Sequence, residues 1–328
     1  MKFRKLGKTG FKVSEISLGT WQVGGKWGSG FDDAHADKII HTAIDNGINF
    51  IDTADVYEAG MSEKAVGRVV RSRSERVYVA TKCGRRLQPH INEAYTPNVL
   101  ERYVEDSLRR TGLETLDLIQ LHCPPTEVYY RPEIFERFER MKEAGKIRNL
   151  GVSVQKVEEA LKAIEYDNVS AVQIIFNLFR QRPAELFFRE ATRRDVGIIV
   201  RVPLASGLLT GKFSSESTFD EGDHRNFNRN GEAFDKGETF SGIDYELGLN
   251  AVDELKKLFP GLENLAPVAL QWILQFNEVN CIIPGASKPE HLLSNLSVYD
   301  LEGLGKDQIK AMNQVYDKYI KDQVHHRW

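Results

Sequence analysis

The sequence has few cysteines, no excess of charge of either sign and no long apolar run. Three cysteines in 328 residues are too few for a disulfide framework, and none is spaced as a zinc-binding pair. Lysine and arginine total 44 and aspartate and glutamate total 47, so the net charge of −3 argues against a basic nucleic-acid-binding surface. No apolar run approaches the roughly 20 residues of a membrane span, and no apolar segment follows the basic N-terminal residues as in a signal peptide. We therefore expect a reduced cytoplasmic protein without a metal site that binds neither nucleic acid nor membranes.

Short β-branched apolar runs alternate with segments of helical periodicity along almost the whole chain. Continuous apolar runs of this length are typical of strands buried on both faces of a parallel sheet. Repeated strand and helix alternation predicts right-handed βαβ crossovers. The predicted strands cover 16–19, 48–51, 77–80, 116–121, 148–153, 171–174, 198–200 and 281–283. The predicted helices cover 36–46, 62–71, 97–111, 132–144, 155–165, 183–194, 245–259 and 266–276.

Two segments interrupt this alternation. Residues 2–13 indicate a hairpin before the first buried strand, and residues 214–242 form a long polar loop after the seventh strand. A loop of that length is a candidate cover for a bound ligand. Neither a linker nor a shift of composition divides the chain, so we predict that residues 1–328 form a single domain. The predicted fold is an α/β protein with a (β/α)8 TIM barrel, and an open doubly wound sheet is the alternative.

Polar residues follow the second, third and fourth predicted strands. Asp52, Lys82 and His122 stand at carboxyl ends of strands, which meet at one mouth of a barrel, and Tyr57 lies on the loop after Asp52. A tyrosine has an ordinary pKa near ~10, and a neighbouring ammonium lowers it. A carboxylate keeps the lysine charged, and an imidazole can orient a carbonyl oxygen. These four residues are therefore predicted to protonate a carbonyl oxygen while hydride reaches its carbon.

Six short motifs together resemble those of the aldo-keto reductase family, in the family's order over roughly residues 3–320. The long loop and the Pro-Gly pair near the end resemble the bacterial and potassium-channel β-subunit-like branch of that family. The motifs are LGTW at 18–21, DTADVY at 52–57, VATK at 79–82, LIQLH at 118–122, GVS at 151–153 and IPGAS at 283–287.

The resemblance implies a barrel that binds NADP(H) and transfers hydride between the nicotinamide and a carbonyl group. It implies that Tyr57 is the general acid in reduction and the general base in oxidation. Lys82 would lower the pKa of Tyr57, Asp52 would pair with Lys82, and His122 would orient the substrate oxygen. The implied substrate pocket consists of Trp21, Trp27, Tyr57, His122 and Trp328.

The resemblance also implies which residues contact the nicotinamide. Ser153 and Gln173 match residues that hold its carboxamide, whereas Val154 stands where the family usually has asparagine. Arg201 stands where many members place a tyrosine that stacks on the ring. A guanidinium can also lie flat on a ring, and its charge is expected to favour the reduced, neutral cofactor.

The remaining implied cofactor contacts concern the phosphates and the adenine. Residues 204–212 resemble the pyrophosphate-contacting loop of the family, and Ser287 with Lys288 forms a predicted anion site at a helix N-terminus. NADP(H) is therefore the preferred cofactor, and NAD(H) stays open. The complete predicted cofactor set is Thr20, Trp21, Ser153, Gln173, Arg201, Pro203, Leu204, Ser206, Gly207, Leu209, Gly211, Lys212, Gly285, Ser287, Lys288, His291 and Asn295.

Two functions are compatible with these residues. The first is an NADP(H)-dependent oxidoreductase that reduces aldehydes or ketones, or oxidises the matching alcohols or sugars. The second is a cofactor-binding regulatory subunit that reports redox state to a partner, with incidental turnover. The complete Asp52, Tyr57, Lys82 and His122 set favours the enzyme. The expected partner is a small-molecule carbonyl compound, and a monomer and a homo-oligomer both stay open.

Overall fold

The computed structural model describes residues 1–25 and 30–328, and it begins with the predicted hairpin. Strands β1 (Phe3–Lys5) and β2 (Lys12–Ser14) pair antiparallel. The turn between them packs on the amino-terminal end of a barrel, where a Cβ on Gly7 would lie 2.2 Å from the backbone nitrogen of Gly197. Gly7 also has a φ of +46°, so both the close approach and the backbone conformation require glycine there.

Within the described residues, eight parallel strands follow one another around the barrel in chain order. Isolated parallel bridges, Ile16 with Ile282 and Gly19 with Gly285, join the first strand to the last. The fold class predicted from the sequence is therefore confirmed, and the open-sheet alternative is wrong. The barrel strands are β3 (Leu18–Gly19), β4 (Phe50–Asp52), β5 (Tyr78–Cys83), β6 (Leu116–His122), β7 (Ile147–Ser153), β8 (Val169–Ile175), β9 (Gly197–Arg201) and β10 (Cys281–Ile282).

Helices cover the outside of the barrel and continue to the C-terminus. Every helix predicted from periodicity has a counterpart, although most differ at their ends by a few residues. None of the described helices is long and apolar enough to cross a membrane. The helices are α1 (Asp33–Asp45), α2 (Met61–Ser72), α3 (Pro97–Thr111), α4 (Pro132–Glu143), α5 (Val157–Ala163), α6 (Phe187–Arg193), α7 (His224–Phe227), α8 (Tyr245–Lys257), α9 (Ala266–Leu274), α10 (Pro289–Leu296), α11 (Lys306–Val315) and α12 (Lys321–Val324).

The start of α2 differs from its prediction because tertiary hydrogen bonds hold the serine there. The predicted helix begins at Ser62, and serine commonly caps helices, but α2 begins at Met61 after Gly60. The Ser62 hydroxyl is buried and lies 2.8 Å from the Thr20 hydroxyl and 2.9 Å from the Thr53 hydroxyl. These contacts join the start of α2 to the loops after β3 and β4, so the serine holds the site's framework together instead of capping a helix.

Two apolar layers hold the barrel together. The interior is filled by side chains such as Phe50, Leu118 and Ile199, and hairpin residues Leu6 and Phe11 extend this layer to the amino-terminal end. Larger apolar clusters lie between the strands and the surrounding helices. Apolar side chains fill the interior and the amino-terminal end of the barrel. The carboxyl-terminal end is therefore left for polar side chains.

The long loop after β9 is folded back on the barrel mouth. Asn228 and Ser241 are fully buried in it, and Asn228 Nδ2 donates to Thr239 Oγ1 at 3.1 Å. Asn177, from the loop after β8, donates to Ser241 Oγ at 2.9 Å. The long loop is therefore held by its own hydrogen bonds and by the loop after β8, and it contains α7.

Candidate active site

Lys82 connects two of the predicted catalytic residues. It lies near the end of β5 with a side chain that is only 1% exposed, and Nζ donates to Asp52 Oδ2 at 2.5 Å, to the Thr53 carbonyl at 2.9 Å and to Tyr57 Oη at 3.1 Å. Burial disfavours the ammonium, but the attraction of Asp52 and Tyr57 outweighs it, and the pKa of Lys82 lies above its ordinary value. The lysine is therefore a fixed positive charge beside the tyrosine.

Asp52, the last residue of β4, is held by two glutamines as well as by Lys82. Gln120 Nε2 and Gln173 Nε2 donate to Asp52 Oδ1 at 3.0 and 2.8 Å, and Gln173 also donates to Gln120 Oε1 at 3.1 Å. Gln120 was not predicted as a site residue. Its signal was available, because Gln120 and His122 are two residues apart on β6 and so project from the same face.

Tyr57 is presented by a tight turn, 57–60. Glu58 and Ala59 have φ values of 46° and 53°, and Gly60 follows at 90°. The Tyr57 ring lies 6.0 Å from that of His122, edge to face, and 6.2 Å from that of Trp21. Burial raises the pKa of the Tyr57 phenol, and Lys82 opposes that rise without reversing it. The phenol therefore keeps its proton at neutral pH.

His122 ends β6 beside Tyr57. Burial lowers the pKa of His122 well below its ordinary value, and the nearby cations Arg85 and Lys82 add to the shift. Its imidazole is consequently neutral at neutral pH. Its Nδ1 is buried and has no hydrogen-bond partner in the described part of the chain.

The four residues meet at a cavity of about 540 Å³, whose wall includes Asp52, Tyr57 and His122. Lys82 lies just behind that wall, against Asp52 and Tyr57. Sixteen residues of the predicted site line this cavity. They are Thr20, Trp21, Asp52, Tyr57, His122, Gln173, Arg201, Pro203, Leu204, Ser206, Gly207, Lys212, Gly285, Ser287, His291 and Asn295.

Arg201, the last residue of β9, has two partners that the sequence did not reveal. Its Nη2 donates to the Val154 carbonyl at 3.0 Å, and its Nη1 lies 3.6 Å from Glu238 Oε2. Glu238 in turn accepts a hydrogen bond from Arg85 Nη1 at 3.1 Å. Burial works against the Glu238 carboxylate, but Arg85 and Arg201 outweigh it and lower the pKa of Glu238. A carboxylate therefore bridges two guanidiniums at the cavity wall.

Ser153 is buried at the end of β7 beside Gln173 of β8, as strand register requires. It is not among the described residues that line the cavity. Its hydroxyl lies 3.5 Å from the sulfur of Cys123, which also faces Arg201 Nη2 at 3.6 Å. Cys123 adopts a φ of 47° immediately after β6, and this turn directs the thiol toward Arg201.

Three other predicted contacts lie off the cavity wall in the described structure. Leu209 is buried in the apolar core, and Gly211, with a φ of 75°, ends the turn 205–210. Lys288 lines a neighbouring cavity of about 700 Å³, which shares Gln22, Arg225 and Ser287 with the first. Lys288 is thus near the first cavity but does not line it in the described structure.

Trp328 is also absent from the described cavity wall. Its indole stacks 3.9 Å from the Arg180 guanidinium and donates from Nε1 to Asp235 Oδ1 at 2.9 Å. Trp328 thus packs, 6% exposed, between Arg180 and the long loop and does not line the described cavity. Trp27, which is also predicted to line the substrate pocket, lies outside the described residues.

The long loop supplies pocket residues that sequence reasoning missed. His224 and Phe234 line the cavity with Trp21, whose ring centroid lies 4.7 Å from that of His224 and 6.2 Å from that of Phe234. Periodicity could not identify them, because their positions depend on the path of an irregular segment.

Comparisons with known proteins agree with this architecture. The family model described as Aldo/keto reductase family matches residues 15–317. The chain is 32% identical to the aldo-keto reductase YhdN of Bacillus subtilis strain 168 over 99% of this chain and 96% of that protein. The solved structure of the glycerol dehydrogenase AKR11B4 from Gluconobacter oxydans superposes with a TM-score of 0.79 at 29% identity, covering 97% of this chain and 96% of that chain.

Two further relatives carry names that bear on cofactor and partner. One is the NADH-specific methylglyoxal reductase of Escherichia coli strain K12, 28% identical over 92% of this chain and 94% of that protein. The other, from Schizosaccharomyces pombe, is named as a voltage-gated potassium channel subunit beta and is 28% identical over 95% of this chain and 92% of that protein. The predicted resemblance to bacterial and channel-subunit-like members is confirmed.

Proposed function

The chain belongs to the aldo/keto reductase family of oxidoreductases, and we propose that it reduces small aldehydes or ketones with NADPH, or oxidises the matching alcohols or sugars. The observation that carries this proposal is the position of the Lys82 ammonium, 3.1 Å from the Tyr57 hydroxyl and 2.5 Å from the Asp52 carboxylate. This arrangement can hold, release and recover one proton at a cavity wall.

Tyr57 is the proton donor in the reducing direction. A bound nicotinamide cofactor would supply hydride to the carbonyl carbon. Tyr57 Oη gives its proton to the carbonyl oxygen, so the carbonyl becomes an alcohol and the phenol becomes a phenolate. Lys82 stabilises that phenolate, and because its charge is already fixed by Asp52, little reorganisation accompanies proton transfer. In the oxidising direction the same phenolate accepts the proton.

His122 positions the substrate oxygen. Since burial and nearby cations keep its imidazole neutral, one ring nitrogen can donate a hydrogen bond without competing with Tyr57 as an acid. A second donor to the carbonyl oxygen stabilises the negative charge that develops there during hydride transfer. His122 therefore orients the carbonyl and leaves protonation to Tyr57.

The groove beyond Tyr57 suits a phosphorylated dinucleotide. Its distal lining includes Lys212, Arg225 and His291, which provide positive charge or hydrogen-bond donors. Among the described residues, a Cβ on Gly285 would have only the Gln22 amide oxygen within 4 Å, at 3.9 Å, so these residues leave the backbone there open to a ligand. These features support cofactor binding along the groove.

NADP(H) is the proposed cofactor because polar residues that suit a phosphate lie beside the groove. Ser287 lines the groove and also the neighbouring cavity, which Lys288 lines as well. The Ser287 hydroxyl lies 3.2 Å from His291 Nδ1, and His35 Nε2 lies 2.7 Å from the Ser287 carbonyl. This serine, lysine and histidine group is a suitable partner for a ribose 2′-phosphate. The name of the Escherichia coli relative makes NADH the competing cofactor.

The name of the Schizosaccharomyces pombe relative raises a second candidate, a cofactor-binding subunit that reports redox state to a partner. One experiment separates the two. Purified protein is assayed with NADPH and NADH in parallel against aldehydes, ketones and sugars, and cofactor binding is measured by fluorescence. Carbonyl-dependent cofactor oxidation supports the enzyme; tight binding without turnover of any compound contradicts it and favours the subunit.

A further inference from the structure

We propose that Arg85 selects the substrate and that the preferred carbonyl compounds carry a carboxylate group. The inference rests on the proposed function and deepens it, because it concerns the part of the same cavity that faces the substrate. Arg85 lies two residues beyond the end of β5 and lines the cavity with Tyr57 and His122.

The Arg85 guanidinium has N–H groups that are not used in its hydrogen bond to Glu238. Its Nη1 donates to Glu238 Oε1 at 3.1 Å, whereas its Nε and Nη2 donate to none of the described residues. A guanidinium presents its N–H groups as a planar fork that matches a carboxylate. Since Arg85 lines the cavity, the unused side of the fork is available to a molecule held there.

The charge balance at this wall also favours an anion. Arg85 and Arg201 share the single carboxylate of Glu238, while Lys82 and Asp52 neutralise each other as a direct pair. Glu58 also lines the cavity, but its side chain is exposed and solvated. The group formed by Arg85, Arg201 and Glu238 therefore carries one net positive charge, which a substrate carboxylate would balance.

Arg85 lines the same cavity as Tyr57 and His122. Its positive charge is also, after burial, the first cause of the lowered pKa of His122. Trp21 and Phe234 line the same cavity, and the Arg85 guanidinium lies 5.4 Å from the centre of the Phe234 ring. A substrate whose carbonyl faces Tyr57 and His122 can therefore place apolar carbon against these rings and its carboxylate at Arg85.

The test compares matched pairs of substrates that differ only in charge. The ortho, meta and para isomers of carboxybenzaldehyde are assayed against their methyl esters with saturating cofactor. Because the position of the charge relative to the aldehyde changes along the series, one isomer should be preferred over its ester. The preference should lie mainly in KM, since a remote carboxylate contact is made equally in the ground state and the transition state.

Three variants assign the preference. Arg85→Gln should lower kcat/KM for the preferred acid by roughly 10- to 100-fold more than it lowers that of the ester. Arg85→Lys should recover part of the preference, because it keeps the charge and loses the fork. Arg86→Gln is the matched control, since Arg86 is the exposed neighbour and does not line the described cavity.

Equal losses for acid and ester in Arg85→Gln, or a wild-type preference for the ester in all three isomers, would overturn the proposal. A calorimetric titration of benzoate and benzamide into the protein with bound NADP+ separates it from the proposed function. If the wild type reduces no carbonyl compound, the proposed function fails. Benzoate binding that is lost in Arg85→Gln still supports the carboxylate site, and equal benzoate binding by both proteins refutes it.

Discussion

The carboxylate of Glu238 lies 3.6 Å from the guanidinium of Arg201 across the mouth of the barrel. Glu238 belongs to the long loop after β9 and Arg201 ends that strand, so this pair fastens the loop to the proposed nicotinamide site. The sequence alone predicts that the charge of Arg201 favours the reduced, neutral cofactor. That prediction did not include a counterion for Arg201. The carboxylate now partly cancels the charge that would disfavour an oxidised, positively charged nicotinamide.

Replacing Glu238 with glutamine should therefore weaken binding of NADP+ more than binding of NADPH. Fluorescence titrations with both forms give the dissociation constant of NADP+ divided by that of NADPH. We expect this ratio to rise several-fold in the variant. Glu216→Gln, on an exposed part of the same loop, is the control for a general charge effect. An unchanged ratio in Glu238→Gln would show that the charges of Glu238 and Arg201 do not affect the preference between oxidised and reduced cofactor.

Tyr57→Phe should remove carbonyl reduction and preserve cofactor affinity. Loss of a positioned general acid typically lowers a rate by about 10²- to 10⁴-fold, whereas the ring that faces Trp21 and His122 is retained. Steady-state turnover and NADPH titration measure the two effects. Tyr130→Phe, at a residue 63% exposed, should change neither, and substantial turnover by Tyr57→Phe would exclude Tyr57 as the acid.

Lys82→Met should shift alcohol oxidation to higher pH. In the wild type the Tyr57 pKa already lies above its ordinary value because burial outweighs the lysine, so oxidation should rise with pH as phenolate forms. Without the ammonium the pKa of Tyr57 rises further, and the ascending limb of the kcat profile should move upward or disappear. Lys64→Met, at an exposed residue of α2, should leave the profile in place.

Asp55→Asn should stabilise the protein above neutral pH. Both carboxylate oxygens of Asp55 are buried without a hydrogen-bond partner among the described residues, and burial, reinforced by Glu63, raises its pKa to about 7. Between the unfolded pKa and this value the folded state binds more protons, so the free energy of unfolding falls as pH rises and stays reduced above pH 7.

The expected gain for Asp55→Asn is on the order of 4 kcal/mol above pH 7 and vanishes near pH 4. Thermal unfolding across this range measures it. Asp322→Asn, at an exposed residue near the C-terminus, provides the comparison. A gain that does not depend on pH would mean that ionisation of Asp55 does not limit stability.

Lys288→Ala should lower NADPH affinity by roughly tenfold and leave NADH affinity almost unchanged, because only NADPH carries the 2′-phosphate. Titrations at low and high salt should show a steeper salt dependence for NADPH in the wild type than in the variant. Lys306→Ala, at the exposed start of α11, controls for net charge. Equal losses for the two cofactors would place Lys288 away from the phosphate.

The strands and the proposed catalytic residues could be predicted because their signals are local. Each barrel strand is a short apolar run, and Asp52, Lys82 and His122 occur where such runs end. Helix boundaries were less certain, as Ser62 illustrates: a typical capping residue is buried by contacts with Thr20 and Thr53. Tertiary hydrogen bonds overrode a local preference there.

By itself, the sequence determined the barrel, the hairpin and the order of polar residues around the mouth, since alternating apolar runs and strand ends are local features. Only the tertiary structure decided that Arg85 and Glu238, 153 residues apart, share one hydrogen bond. It also placed Trp328 on Arg180 outside the described cavity wall. These positions depend on the path of an irregular loop and a terminal segment, which is set by packing on the finished barrel and has no period in the sequence.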